Sequence, residues 1–305
     1  MKITEAVKEL QELFARLSLA VGGGRNPYLF TKQDSSAKLV HNGDVTDEYE
    51  QIVLYLPQAN RGRALYDKYW TPELQALVDE WSGEYGNIRP AQLHASMCTH
   101  STPGCRAACL GNAGRLSKPS SERALLARYL LLRMYPGAFW YMVCHEIGQH
   151  DRRVSKHGKR LVVRINGTSD IDIVDEPRVY LNGQSVLDVF PRILFQDYTK
   201  RPITASGYWI DYDNYYVVRS ITERDGPDVF AKHVGNVVVP VNLPPGAPLP
   251  DRFMGRPVVD GDVHDLRCLD KQISGADRHA VLVRVKKRTD GVRADHHGFI
   301  WEVPA

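Results

Sequence analysis

Three cysteines, Cys98, Cys105 and Cys109, fall within twelve residues in the pattern Cys-x6-Cys-x3-Cys. Thiolates are preferred ligands of iron–sulfur clusters and also bind zinc. Three of them leave one position, on a four-iron cluster or a tetrahedral ion, for a substrate, a water or a fourth ligand. Pro103 and Gly104 favour a loop that wraps closely round a metal. The competing reading is packing, because free cysteine is commonly a small buried residue. The segment is rich in Gly, Ser and Thr and suits a core poorly, which favours ligation. Zinc sites usually pair cysteines two residues apart, and no such pair occurs here. Cys144 and Cys268 are isolated and read as core residues. The run Cys144-His145-Glu146-x3-His150 imitates a zinc-protease motif, but its histidines are five apart rather than four. On a helix that spacing turns them well over a right angle from each other.

Further polar clusters follow apolar, strand-like runs. Asn166-Gly167-Thr168-Ser169-Asp170 comes directly after LVVRI (161–165), and Asp197-Tyr198-x-Lys200 lies at the end of ILFQDY (193–198). Arg219 and Ser220 close YYVVRS (215–220). Side chains at the C-terminal ends of parallel strands line the usual site of an α/β domain. Asp170, Asp197 and Lys200 are the candidates for moving a proton or gripping a charged group. Asn166, Thr168, Ser169, Arg219 and Ser220 are the candidates for holding a cofactor or substrate by hydrogen bonds. Each cluster has a plain alternative: an Asn-Gly turn with a helix cap, a strand-end ion pair, an exposed arginine. Their succession along the chain is the stronger argument. A fourth cluster, Asp260-Gly-Asp262-x-His264-Asp265, is dense in oxygen ligands that suit magnesium, or it caps a βα loop.

The segments CTHSTPGCRAACLGNAGR (98–115), VRINGTSDI (163–171), FQDYTKR (195–201) and VVDGDVHDLRCLD (258–270) resemble, in this order, the phage "gene product 88" family. That family has no settled function, so the resemblance implies a phage-type protein and no particular activity. More distantly, the arrangement is similar to radical S-adenosylmethionine enzymes, which carry three cysteines on the loop after the first strand of a (β/α) barrel. That likeness implies a 4Fe-4S cluster on Cys98, Cys105 and Cys109, with S-adenosylmethionine beside it. The family spacing is Cys-x3-Cys-x2-Cys, and this chain departs from it; a Gly-Gly-Glu segment is also missing.

These residues need a scaffold. Apolar residues at helical spacing predict a helix over 3–20, ended by Gly22, Gly23 and Gly24. Residues 50–56 read as a strand and 72–82 as a helix opened by Pro72. A helix starts at Pro119 and Ser120, and another spans 138–155. Beyond residue 160, the runs at 161–165, 193–198, 215–220, 236–241, 257–260 and 280–286 read as strands, with short helices at 186–190 and 228–234. Apolar strands alternating with helices predict an α/β fold with a parallel sheet, a partial or complete (β/α) barrel. Residues 1–90 read as an α/β N-terminal extension, and 91–305 as the cysteine-bearing barrel-like domain.

Composition bounds the function. The 305 residues, 43% of them hydrophobic, bury a sizeable core without disulfide staples. A formal charge of +3 argues for no nucleic-acid partner by itself. The basic clusters at Arg152–Arg160 and Arg284–Arg288 read as solvated faces. No run reaches the ~20 apolar residues that span a bilayer, and the charged N-terminal segment is unlike a signal peptide. The expectation is a cytoplasmic protein with reduced thiols. The leading reading is an iron–sulfur enzyme acting on a nucleotide, nucleic acid or other polar substrate. The alternatives are a non-catalytic binding protein with structural zinc or reduced cysteines, and a metal-dependent hydrolase or phosphoryl-transfer enzyme using Asp260, Asp262 and Asp265.

Overall fold

The structure is a computed structural model that describes residues 3–24, 28–32, 39–40, 42, 46–84, 96–109, 111, 114–201, 212–244, 246–285 and 298–303. Among the described residues nine strands form one sheet: β1 (Phe30–Thr31), β2 (Tyr49–Leu54), β3 (Arg160–Arg164), β4 (Leu194–Thr199), β5 (Tyr215–Ser220), β6 (Val237–Val241), β7 (Arg252–Phe253), β8 (Arg256–Asp260) and β9 (Ala280–Arg284). Their spatial order is β1-β2-β3-β4-β5-β6-β9-β8-β7. From β2 through β8 every neighbour is parallel, and short antiparallel strands, β1 and β7, flank the two ends. The α/β expectation with a parallel sheet therefore stands. Among the described residues the ladder runs from β1 to β7 without a pairing between them, so the sheet is an array whose closure into a barrel is not shown.

The helices are α1 (Ile3–Ala20), α2 (Arg61–Lys68), α3 (Pro72–Glu84), α4 (Pro103–Ala107), α5 (Pro119–Met134), α6 (Pro136–Ser155), α7 (Asp175–Arg178), α8 (Val186–Val189), α9 (Val229–Lys232) and α10 (Asp270–Ser274). Pro119 and Pro136 each sit in a first helical turn, where the missing N–H costs nothing. No helix among the described residues is long and apolar enough to cross a membrane.

Both faces of the sheet are covered, which explains why its strands are apolar throughout instead of alternating. Ile52 and Leu54 of β2, Leu161 and Val163 of β3, and Phe195 of β4 join the main core with Leu126, Leu130, Phe139 and Trp140 of α5 and α6. On the other side, Tyr49 and Val162 pack against Leu266 and Leu269. Residues on both sides of position 90 build this one sheet, since β2 pairs with β3, and α1 packs on α5 and α6.

Of the basic clusters, Arg153, Lys159 and Arg160 pair with Glu50, Asp47 and Glu48, as a solvated face would. Arg284 pairs with Asp260 and Asp262; residues 286–288 lie outside the described residues.

A cysteine site at the strand ends

Because β2 to β5 run parallel, their C-terminal ends share one edge of the sheet. The loop after β3 supplies Asn166 to Asp170, the end of β4 supplies Thr199 and Lys200, and the turn after β5 supplies Glu223. Gly167 allows the first of these loops to lie against β2. A Cβ there would sit 2.6 Å from the Tyr55 ring and 2.7 Å from the Leu54 carbonyl oxygen.

The cysteine segment is zipped to that edge. Cys98 forms a parallel bridge with Asp170, the Asp170 N–H donates to the Met97 carbonyl at 2.8 Å, and the Cys98 thiol faces the Thr168 carbonyl at 3.7 Å. The sequence predicts a loop here; the structure inserts the short helix α4, which carries Cys105. Thr102 caps it by accepting the Cys105 N–H at 3.3 Å, and Pro103 opens its first turn. The carboxylate of Glu223 accepts the Gly104 N–H at 2.8 Å and the Thr102 hydroxyl at 2.6 Å.

Lys200 is the hub of the site. Its ammonium interacts electrostatically with Cys105, Asp170, Cys98 and Cys109. Burial works against its charge, but these four groups outweigh that and hold its pKa above the ordinary lysine value. Burial pushes the Cys98 thiol up to about 12 and also raises Cys109, which makes free-thiolate chemistry unfavourable at both. Cys109 in turn feels Cys105, Lys200 and Arg61. The three sulfurs thus share one neighbourhood. Even so, among the described residues no group of three or more His, Cys, Asp or Glu side chains is drawn together tightly enough to hold a metal ion.

Behind the cysteines lies a polar floor. Asp170 accepts the Thr199 hydroxyl at 2.8 Å and the Lys200 N–H at 3.0 Å. Asp197 accepts the Asn166 N–H at 2.8 Å and the Tyr215 hydroxyl at 3.3 Å. Burial carries its pKa up to about 7, against the opposing pull of Arg164. The Asn166 side-chain oxygen accepts from Ser169 and from the Ile171 N–H, while Thr168 donates to the Leu56 carbonyl at 2.6 Å. Asn166, Asp170, Asp197, Thr199, Arg201 and Tyr215 line a cavity of about 10 Å³, room for one water-sized group.

The structure therefore gathers Cys98, Cys105, Cys109, Asn166, Thr168, Ser169, Asp170, Asp197 and Lys200 at one edge. Arg219 is directed elsewhere, into an ion pair with Asp225 at 2.5 Å. Ser220 is buried at the end of β5, and no ligand role follows from its position. Asp260 and Asp262 form a turn in which the Asp262 N–H donates to Asp260, and both carboxylates bind Arg284. Asp265 pairs with Arg164 instead. The three carboxylates are engaged by arginines and do not form a magnesium set, as the capped-loop alternative expects. Sequence reasoning misses Glu223, Tyr215 and Arg201. Glu223 stands three residues beyond a strand, and nothing local ties it to a loop far upstream.

No curated protein and no solved structure matches the chain. The distant likeness to radical S-adenosylmethionine enzymes thus gains no support from known proteins. The gene product 88 family model matches residues 59–303, which include the cysteine segment and every strand from β3 onward. The chain belongs to the phage gene product 88 family.

Proposed function

We propose that this protein is an iron–sulfur enzyme of phage type in which Cys98, Cys105 and Cys109 hold the cluster and the adjoining strand-end floor binds a polar substrate. The observation that carries this reading is the shared neighbourhood of three sulfurs and the Lys200 ammonium at the C-terminal strand ends. The donor set has the right chemistry for a cluster. Zinc also binds thiolates, at about 2.3 Å, and stays the alternative; among the described residues no three such groups are drawn together tightly enough to hold a metal ion. When bound, a cluster supplies one-electron chemistry, or a Lewis-acidic iron at an open position. S-adenosylmethionine rests only on the distant likeness in the cysteine arrangement, and no known protein that matches the chain supports it. No step is assigned to it.

The chain's own residues have separable tasks. Lys200 offsets the negative charge of three thiolates. Asp170 anchors the Lys200 backbone and faces the sulfurs. Asp197, with its pKa near neutrality, can hold or release a proton at the cavity floor. Anaerobic purification followed by iron and sulfide analysis tests the reading. Roughly four of each per chain are expected, with both lost when the three cysteines are replaced by alanine. Zinc without iron under those conditions favours the structural-zinc alternative. Metal-free protein that binds no iron on reconstitution favours reduced, non-catalytic thiols.

A further inference from the structure

A second cavity, of about 490 Å³, lies between the C-terminal end of α1, the α2–α3 junction and the first turns of α5. It shares no lining residue with the cysteine site. Its size falls within the usual range of small-molecule pockets. The residues that give it chemical character are Lys68, Tyr69, Trp70, Glu73 and Arg123, two cations to one carboxylate.

Arg123 is an uncommitted cation. Its guanidinium stacks on the Tyr69 ring, 5.0 Å from the centroid, and its enclosed Nε has no hydrogen-bond acceptor. No carboxylate among the described residues pairs with it. The neighbouring acid, Glu122, is already saturated, accepting Arg61 at 2.7 Å, Lys68 at 2.7 Å and the Tyr69 hydroxyl at 2.6 Å. The carbonyls at the end of α1 are taken too. Leu17, Ser18 and Leu19 accept from Val21, Gly23 and Gly22. Gly22, at φ +72°, lies against the guanidinium, where a Cβ would be in ordinary contact with Nε at 3.4 Å. Beside this cation stands Trp70. Its indole N–H is fixed on Gln75 at 3.2 Å, yet half of the residue is exposed to solvent. An indole held in place and left open is a platform for a flat ring, and a guanidinium without a partner takes a phosphate.

The geometry points to a nucleotide-binding site here, with the base stacked on Trp70 and the phosphate bound by Arg123. The ligand chemistry is a planar ring joined to a phosphate, either as a free nucleoside monophosphate or as the phosphorylated end of a strand. This goes beyond the cluster reading and does not depend on it.

Calorimetric titration of the full chain with the four ribonucleoside monophosphates tests the proposal, with the matched nucleosides and inorganic phosphate as controls. At least one monophosphate should bind, with its nucleoside and phosphate alone each at least tenfold weaker. Trp70→Ala and Arg123→Gln should each weaken binding tenfold or more. Lys232→Gln, at a surface ion pair with Asp228, should leave binding unchanged. Should Arg123→Gln fail to fold, Arg123→Lys keeps the charge without the planar fork and should bind less tightly than the parent. A 5′-phosphorylated tetranucleotide binding as tightly as the monophosphate supports the site with strand ends as its source; weaker binding supports it with the free nucleotide. Absence of monophosphate binding at millimolar concentration overturns the proposal, as does binding that survives both substitutions.

Discussion

Glu223 and Gly104 are 119 residues apart in sequence, yet the carboxylate of one accepts the backbone N–H of the other at 2.8 Å. The same carboxylate takes the Thr102 hydroxyl, whose oxygen caps the helix that carries Cys105. The turn after β5 therefore fixes the orientation of a cysteine that belongs to a loop far upstream. An anionic group at a helix N-terminus meets otherwise unsatisfied N–H donors, and so it both orients and stabilises.

Glu223→Ala should cost about 1–2 kcal/mol, the loss expected for a helix cap. It should also raise the alkylation rate of Cys105 severalfold in metal-free protein, while Cys144 and Cys268 serve as internal controls. The pH dependence has a definite sign. Burial raises the Glu223 pKa, but the bonds from Thr102 and Gly104 outweigh it, and the net value lies below the ordinary one. A depressed carboxylate stabilises the fold above its unfolded pKa, near 4.3, and loses that contribution as pH falls through the folded value. Thermal melts of parent and variant should therefore converge at acid pH. Equal Cys105 reactivity in both proteins would show that the clamp does not position the thiol.

Much of the scaffold is legible in the sequence because period and punctuation are local. Pro119 before a leucine-rich run predicts α5, and the valine runs predict β3, β5, β6 and β9 to within a residue or two. The site is legible only in part. Asn166, Asp170, Asp197 and Lys200 announce themselves by following strands, and parallel pairing then brings them to one edge. Arg219 carries the same signal but turns to Asp225, six residues on in the turn that follows β5. Helix α2 is missed because RGRALYDK presents few apolar residues, and tertiary packing of Leu65 and Tyr66 holds it. Helix α4 is missed because five residues carry no periodicity; Thr102 with Pro103 is its one local signature.

Glu146 should make stability fall as pH rises. Burial carries its pKa up to about 7, although it accepts the Leu29 and Phe30 N–H groups and lies near Arg128. A carboxyl whose folded pKa exceeds the unfolded value near 4.3 stabilises the fold below that unfolded value. The contribution declines up to about pH 7, by at most on the order of 3 kcal/mol. Melting temperature measured between pH 4.5 and 8 should drop in the parent and stay flatter in Glu146→Gln. Identical slopes would assign the pH response to another group.

Asp265→Ala should be among the most damaging single changes. Arg164 donates to Asp265 at 2.8 Å, to the Asn166 carbonyl at 3.2 Å and to the Gly167 carbonyl at 3.2 Å, and its guanidinium stacks on Tyr198 at 4.5 Å. Removing Asp265 strands a buried guanidinium, which typically costs 3–5 kcal/mol. Because Arg164 also ties down the loop bearing Asn166, the cysteine site should loosen with it. A denaturant midpoint close to the parent's would show that Arg164 finds another partner.

Lys200→Met separates the role of charge from that of packing. The ammonium is expensive to bury, and what offsets it is the set of Cys105, Asp170, Cys98 and Cys109 around it. A methionine of similar length fills the same space, and Asp170 keeps its bonds to Thr199 and to the backbone of residue 200. Asp170 loses its cationic neighbour, so the metal-free protein should be destabilised, by less than the roughly 3–5 kcal/mol of a fully stranded buried charge. The loaded protein should behave differently. Three thiolates on a cluster bring negative charge to a site of low dielectric, where Lys200 and Arg61 are cations that Cys109 feels. Iron retained after gel filtration should fall severalfold, and the cluster's reduction should shift to lower potential because the added electron loses a cationic neighbour. Parent-like iron content and potential in a well-folded Lys200→Met protein would mean that the ammonium does not serve the cysteines, and its place would then be a packing feature of the strand end.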